Sequence, residues 1–260
     1  MNFQFIDAHC QPQFPEFEKD LSEVLSRMKD SGVAGIVVGT DYEMSRKGIE
    51  LAEKHSFLYA TAGVHPNEKG EVFDYEKFRE LAQSSKVVAI GECGLDYYRN
   101  DASDTTEIER QKIQFKKQIE LAIELDKPLM IHSRNAYEDI IAILSEYKKD
   151  NENLRGDIHF YSGSLEQARK FIDLGFTISF AGPITFARDY DEVIKNVPLT
   201  SILAETDAPF AAPVPYRGRR NEPTYVIEVV KKIAEVRGED FEIVRKTLVE
   251  NTFRVFGIVL

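Results

Sequence analysis

The sequence predicts a single (β/α)₈ TIM barrel, an α/β fold, over residues 1–260, and three observations support this. Short apolar runs rich in β-branched residues alternate eight times with longer stretches of helical period. A chain of 260 residues has the length of one such barrel. An open doubly wound sheet would carry a glycine-rich phosphate loop after its first strand, and the sequence there, DAHCQ, has none.

Most predicted strands are continuous apolar runs, as expected for parallel strands that are covered on both faces. The predicted strands are residues 3–9, 33–40, 58–64, 87–92, 128–132, 157–160, 177–181 and 201–206. The predicted helices are residues 16–31, 42–55, 74–84, 105–126, 136–149, 165–174, 189–196, 223–237 and 240–256. We expect them to form one domain.

Composition restricts the classes of function. The chain has 33 Lys and Arg against 44 Asp and Glu, and the net charge of −11 argues against a broadly basic nucleic-acid binder. A nuclease that contacts phosphate through metal ions and a local basic patch is still possible. The sequence lacks a signal-peptide pattern and an apolar run of membrane-spanning length, and it has only two cysteines. We therefore expect a cytoplasmic protein with no membrane contact and no obligate protein partner.

Histidines and carboxylates gather at the carboxyl ends of the predicted strands, where TIM barrels place their active sites. These residues are His9, His65, Glu92, His132, His159 and Asp207. A lone histidine beside an apolar run is more often structural than a ligand, but four at the same end of four strands are hard to attribute to coincidence. The fifth histidine, His55, lies at a helix end on the opposite face, and we assign it no role.

These side chains are typical ligands of Zn²⁺, Mn²⁺ and related divalent ions such as Mg²⁺. The candidate ligands are His9, Glu92, His132, His159 and Asp207. They are too many for one tetrahedral ion and suit two. Glu92 on the fourth strand is the candidate for bridging a pair of ions, an arrangement that activates water in two-metal hydrolysis. An alternative, a buried ion pair of Glu92, is disfavoured because residues 89–95 contain no basic side chain.

With these motifs in order, the sequence resembles the TatD family of metal-dependent deoxyribonucleases in the amidohydrolase superfamily. The resemblance rests on IDAH (6–9), AGVHP (62–66), IGECGLDY (90–97), IHSR (131–134), HFYSGS (159–164), ETDAP (205–209) and RRNEP (219–223). It implies a TIM barrel with one or two divalent ions that hydrolyses phosphodiester bonds, commonly from the ends of DNA. Single-stranded DNA or DNA ends are the expected substrate.

Gln11 departs from the family pattern, which has His-x-His at the end of the first strand. An amide oxygen is neutral and is a poorer zinc ligand than imidazole. We therefore expect the ion shared by His9, Gln11, Glu92 and Asp207 to be held weakly. The ligand set of Glu92, His132 and His159 is intact.

Individual roles follow partly from position and partly from the resemblance. Asp207 is the candidate general base, since it sits where it could both touch the weaker ion and orient a water molecule; it could also be an ordinary strand-end carboxylate. His65 resembles the family's third-strand histidine near the bound phosphate and could stabilise the leaving oxygen, although it could instead be a structural residue before a proline. We expect Asp7 to orient a ligand imidazole from outside the ligand set, and Asp96 and Arg134 to belong to the pocket.

An arginine-rich segment, YRGRR (216–220), follows the eighth strand and should lie on the rim of the site. Arg219 and Arg220 are candidate phosphate contacts, and Tyr216 is a candidate stacking surface for bases. The simpler reading of such a charge run is a solvated loop. Asn221 is predicted to cap the helix that follows.

Two other functions remain open. The same barrel and metals also serve carbonyl substrates, so the chain could be an ester or amide hydrolase, for example one that deacylates aminoacyl-tRNA. Gln11 also raises the possibility of a degenerate metal-binding protein without catalysis. The retained carboxylates and histidines argue against that third reading.

Overall fold

The eight predicted strands form one parallel sheet that curls into a nearly closed barrel, in the order β1 to β8 along the chain. The computed structural model describes residues 3–98 and 105–258. The strands are β1 (Phe5–Cys10), β2 (Val33–Val37), β3 (Leu58–Ala62), β4 (Val87–Asp96), β5 (Leu129–Arg134), β6 (Gly156–Ile158), β7 (Phe176–Phe180) and β8 (Ile202–Ala204). The predicted TIM-barrel fold is confirmed.

Helices follow the strands on the outside of the barrel. Within the described residues they are α1 (Leu21–Asp30), α2 (Tyr42–Lys54), α3 (Tyr75–Leu81), α4 (Thr105–Glu124), α5 (Tyr137–Lys148), α6 (Leu165–Asp173), α7 (Asp191–Asn196), α8 (Val226–Arg237) and α9 (Phe241–Phe256). Among the residues described, no helix is both long and apolar enough to cross a bilayer.

The first predicted helix, residues 16–31, is divided in two. A 3₁₀ turn, Pro15–Phe17, buries its phenylalanine ring, and α1 begins only at Leu21. Asp20 between them has φ −143°, outside the helical region. The break lets the Phe17 ring pack in one buried cluster with Cys10 and Ala208 while α1 packs on β2.

Strand β4 is longer than predicted and runs four residues beyond Glu92, to Asp96. It continues to pair with β5, from Cys93 opposite Ile131 to Asp96 opposite Arg134. Two glycines make this close pairing possible. A Cβ on Gly91 would lie 2.3 Å from the Met130 carbonyl oxygen, and one on Gly94 would lie 2.1 Å from that of His132.

The barrel closes through the segments that carry the candidate ligands. Cys10 forms a parallel bridge with Ala208. The Asp207 amide donates to the His9 carbonyl oxygen at 2.9 Å, and the Gln11 amide donates to the Ala208 carbonyl oxygen at 2.8 Å. The first and last strands thus hold each other's polar ends in fixed positions.

Candidate metal centre

Glu92 lies at the centre of four imidazole rings. Its Oε1 atom is 2.9 Å from Nε2 of His159, 3.1 Å from Nδ1 of His132 and 3.5 Å from Nε2 of His65. Its Oε2 atom is 3.6 Å from Nε2 of His9. The two carboxylate oxygens therefore face two different sets of nitrogen atoms, which is the geometry a bridging carboxylate needs.

Two groups of side chains bring three ligand atoms each within 4.8 Å of one another. One group is His9, His159 and Asp207, and the other is His65, Glu92 and His132. This partition differs from the predicted one, which paired His159 with His132. The His9 and His159 rings stack with centroids 4.0 Å apart, so the sixth-strand histidine reaches the first-strand side of the site.

Unpartnered buried atoms show that this cluster suits a cation. Among the described residues, neither ring nitrogen of His9 has a hydrogen-bond partner, although the ring is fully buried. The buried Gln11 Oε1 atom also lacks a partner among them. Burying such acceptors without partners is costly. A divalent ion that accepts nitrogen and oxygen ligands would satisfy both side chains.

Protonation in the cluster is set by burial and by the central carboxylate. Burial lowers the pKa of His9 to about 4 and that of His65 to about 3, so both rings are neutral at pH 7. Burial opposes a charge on His159, but Glu92 and Glu205 outweigh it and raise the pKa of His159 well above its usual value. Burial likewise opposes ionisation of Glu92, yet the surrounding histidines hold the pKa of Glu92 well below its usual value.

Asp207 lies beside His9, with Oδ1 3.6 Å from Nε2. Burial, against the attraction of His159 and with repulsion from Glu92, raises the pKa of Asp207 to about 8. The structure thus places the candidate general base next to the ligand cluster, with a pKa close to neutrality.

Hydrogen bonds define the proton positions on two of the rings. The backbone amide of Asn67 donates to Nδ1 of His65 at 3.1 Å, so a neutral His65 carries its proton on Nε2. Nδ1 of His159 faces Glu205 Oε1 at 3.3 Å, so that nitrogen holds a proton, and Nε2, which faces Glu92 Oε1 at 2.9 Å, is the nitrogen that would exchange its proton for a metal. His65 is therefore set up as a hydrogen-bond donor and His159 as a ligand.

Glu205 is the site residue that sequence reasoning missed. It is fully buried, contacts the His159 ring, and accepts hydrogen bonds from the Phe160 amide at 2.8 Å and the Ser179 hydroxyl at 2.8 Å. Ser179 also contacts Asp157 at 2.6 Å. Burial and the Glu205 charge raise the pKa of Asp157 to about 7. The available signal was an acidic residue at the end of a buried strand, two positions before Asp207.

Asp7 has a different contact from the one predicted. It accepts hydrogen bonds from the amides of His9 at 3.2 Å and Thr206 at 2.8 Å and from the Thr206 hydroxyl at 2.5 Å. It therefore fixes the backbone of a ligand and not an imidazole ring, and Glu205 provides that ring contact instead. Asp96 does face a ring, with Oδ2 3.1 Å from Nε2 of His132, and it also accepts from Asn67 at 2.8 Å.

The rim arginines separate into two kinds. Arg220 is held by two Asp20 contacts of 2.6 Å and by Glu222 at 3.1 Å, and it stacks on Phe17. These carboxylates neutralise it, which argues against the predicted phosphate contact. Arg219 is exposed, and among the residues that the structure describes it forms no ion pair of this kind. Arg134 lies 3.7 Å over the Tyr98 ring and borders the cavity above the ligands.

Two further rim predictions need correction. Tyr216 stacks on Tyr225, with centroids 3.7 Å apart, and lines a separate depression with Arg27. Asn221 does not cap a helix. Its side-chain amide donates to the carbonyl oxygens of Thr206 at 2.8 Å and Phe210 at 2.6 Å. It secures the turn after β8.

The ligand cluster forms the floor of a cavity of about 580 Å³ at the carboxyl ends of the strands. The cavity is lined by Gln11, Phe14, His65, Glu92, His132, Arg134, His159, Phe160, Tyr190, Asp207 and Phe210, among others. Among the lining residues, Gln11, Glu92 and His159 are buried, whereas Phe210 is half exposed.

Comparison with known proteins agrees with this architecture. The family described as TatD related DNase matches residues 6–257. The metal-dependent hydrolase YabD of Bacillus subtilis is 40% identical over 257 residues, which cover 97% of this chain and 98% of that protein. The crystal structure of the TatD homologue YjjV from Escherichia coli K12 superposes with a TM-score of 0.91 at 33% identity and covers all of both chains.

A more distant structure shows how far the fold extends. The hydrolase TatD family protein from Entamoeba histolytica has a TM-score of 0.86 at 23% identity, and the alignment covers 98% of this chain and 99% of that one. The fold is therefore retained at low sequence identity. Family match, sequence identity and barrel geometry together lead to one conclusion: this chain belongs to the TatD family of metal-dependent hydrolases.

Proposed function

We propose that the protein is a deoxyribonuclease that hydrolyses phosphodiester bonds of single-stranded DNA or DNA ends. The observation that carries the proposal is Glu92 surrounded by four imidazoles, with the unpartnered nitrogen atoms of His9, at the floor of an open cavity. The family description supports a nucleic acid as the substrate. Cleavage from the ends suits a site that lies at the bottom of a pocket.

The candidate ligands for one or two divalent ions are His9, Glu92, His132, His159 and Asp207, with Gln11 as a weak ligand. When bound, such ions polarise a phosphodiester and neutralise the charge that develops on it. The cleavage assay compares Mg²⁺, Mn²⁺ and Zn²⁺ and so identifies the ion that supports activity.

The chain's own residues supply the proton transfers. Asp207, whose carboxyl has a pKa of about 8 without metal, would be deprotonated beside a bound cation and would then accept a proton from the attacking water. His65 stays neutral, lines the cavity and carries its proton on Nε2, so it would donate a hydrogen bond to the leaving oxygen. Glu205 would keep the proton on Nδ1 of His159, so that Nε2 is the nitrogen that gives up its proton to bind a cation.

Cations at the opening would bind the substrate backbone. Arg134 borders the cavity, and its guanidinium is stacked on Tyr98, which restricts its position. Arg219 is exposed in the segment that follows β8. Together they provide positive charge for phosphates in a chain whose net charge is −11.

The test is an assay on single-stranded DNA labelled at the 3′ or the 5′ end, with Mg²⁺, Mn²⁺, Zn²⁺ or a chelator. We expect cleavage only with metal, and loss of cleavage in Glu92→Ala because no carboxylate then joins the two ligand groups. Glu166→Gln, a change at a side chain that is 79% exposed, is the matched control and should behave as wild type. An aminoacyl ester assayed in parallel tests the carbonyl alternative, and hydrolysis of that ester without DNA cleavage would reject the proposal.

A further inference from the structure

Phe210 is a large apolar side chain left 49% exposed at the mouth of the ligand cavity. Large aromatic side chains usually bury most of their area, so an exposed one beside a candidate active site points to a binding role. The Phe14 ring lies beside it, with centroids 6.4 Å apart and an interplanar angle of 79°. The two rings come from the segments after β8 and β1, which also carry Asp207 and Gln11.

The turn that presents Phe210 is rigid. The Phe210 backbone amide donates to the Asp207 carbonyl oxygen at 2.9 Å. The side-chain amide of Asn221 donates to the Phe210 carbonyl oxygen at 2.6 Å. Asp207 and Ala211 on either side adopt left-handed backbone angles, with φ 55° and 53°. The backbone that carries the exposed ring is thus held in place three residues after the candidate general base, as a preorganised contact requires.

We propose that Phe210, with Phe14 at its edge, is a stacking platform for the unpaired base of the nucleotide whose phosphodiester bond is cleaved. This inference rests on the proposed nuclease function. Every nucleobase has an apolar face that stacks on an aromatic ring, so the platform accepts any sequence. A base inside a duplex has both faces covered by its neighbours. The platform therefore selects single strands and frayed ends.

The position of the platform argues for a base and against another apolar group. Phe210 follows Asp207 by three residues and borders the same cavity as the buried ligands Glu92 and His159. A nucleotide has the matching arrangement, with an anionic phosphate for the ligand cluster and a flat apolar base for the rim. Arg134 borders the same cavity and offers charge to the next phosphate.

The experiment compares KM for a single-stranded oligonucleotide with KM for the same strand carrying an abasic residue at its 3′ or 5′ end. Phe210→Leu removes the aromatic face and keeps an apolar side chain, whereas Phe210→Tyr keeps the face. Ile243→Ala, on α9 at a side chain that is 61% exposed, is the control at a distant apolar position. Stacking predicts that Phe210→Leu raises KM about 5- to 150-fold for the intact strand, more than it lowers kcat.

Three further outcomes are expected. Phe210→Tyr and Ile243→Ala stay close to wild type. Phe210→Leu no longer distinguishes intact from abasic strands, as coupling between ring and base requires. A terminal 2-aminopurine, on a strand protected by phosphorothioate linkages, loses fluorescence on binding to wild type and loses less with Phe210→Leu.

Two results would overturn the platform in distinguishable ways. If wild type cleaves intact and abasic strands with equal KM, and Phe210→Leu matches it, the platform is wrong and the nuclease function stands. If wild type cleaves no oligonucleotide with Mg²⁺, Mn²⁺ or Zn²⁺, the proposed function fails and the platform fails with it.

Discussion

Replacing Glu205 by glutamine tests how the barrel tunes the candidate metal ligand His159. The substitution retains the shape of a fully buried side chain that contacts the His159 ring, the Phe160 amide and the Ser179 hydroxyl. The glutamine oxygen can still accept from the ring and the amide, and its nitrogen can donate to Ser179. What disappears is the negative charge that makes the His159 ring more basic.

The expected magnitude follows from that contact. Loss of the carboxylate behind a ligand imidazole weakens metal binding by about 10- to 100-fold, which equals about 1.4–2.8 kcal/mol. Glu205→Ala should also lower the free energy of unfolding, by about 3–5 kcal/mol, because it removes the partner of a buried charge and leaves the His159 ring and the Phe160 amide without an acceptor, whereas Ser179 keeps Asp157. The glutamine variant should therefore fold, and the alanine variant should unfold at a clearly lower temperature.

The assay is competition for Zn²⁺ against a chromophoric chelator at pH 7, with thermal unfolding of the metal-free proteins alongside. Glu166→Gln serves as the control, because it makes the same chemical change at an exposed position. Equal metal affinity for wild type and Glu205→Gln, with both proteins folded, would refute the positioning role of Glu205.

Three further predictions follow from the site and its rim. Gln11 should leave one ion weakly held, so purified protein should contain fewer than two ions per chain. Gln11→His should lower the Mg²⁺ or Mn²⁺ concentration needed for activity. Two tightly bound ions in the wild type, with identical metal titrations for both proteins, would contradict this. Because the pKa of Asp207 is about 8 without metal, protons compete with the ion at this carboxylate below that pH. Metal affinity should therefore rise as the pH approaches 8, and Asp207→Asn should reduce this rise to the part that comes from His159, whose pKa is also raised. Arg219→Ala should raise KM for oligonucleotides and reduce the salt dependence of KM. Arg220→Ala should mainly lower the free energy of unfolding, by about 1–2 kcal/mol in urea, because it removes the two Asp20 contacts.

The barrel was predictable because each strand carries its own local signal. The apolar runs, the helical periods and the absence of a phosphate loop predicted eight strands in order. The ends of the elements were less predictable. Strand β4 extends to Asp96 because Gly91 and Gly94 allow close pairing with β5, and that pairing depends on a neighbour that the local sequence does not contain.

The site residues show the same limit. Histidines at strand ends were predictable because parallel strands bring their carboxyl ends together. The pairing of Arg220 with Asp20 joins residues 200 positions apart, and only the folded chain brings them into contact. Glu205 was missed for a related reason: its partners lie on β7 and after β6, and one strand's sequence does not indicate which way a buried carboxylate points.

A metal titration of stripped protein tests the central claim most directly. Protein freed of metal by chelation is mixed with single-stranded DNA, and the cleavage rate is followed as Mn²⁺ is added to wild type and to Glu92→Gln. The proposed role of Glu92 as a shared ligand predicts no cleavage by stripped wild type, recovery with added metal, and no recovery in Glu92→Gln at the same concentrations. Cleavage at the full rate by stripped wild type, or by Glu92→Gln, would contradict the account.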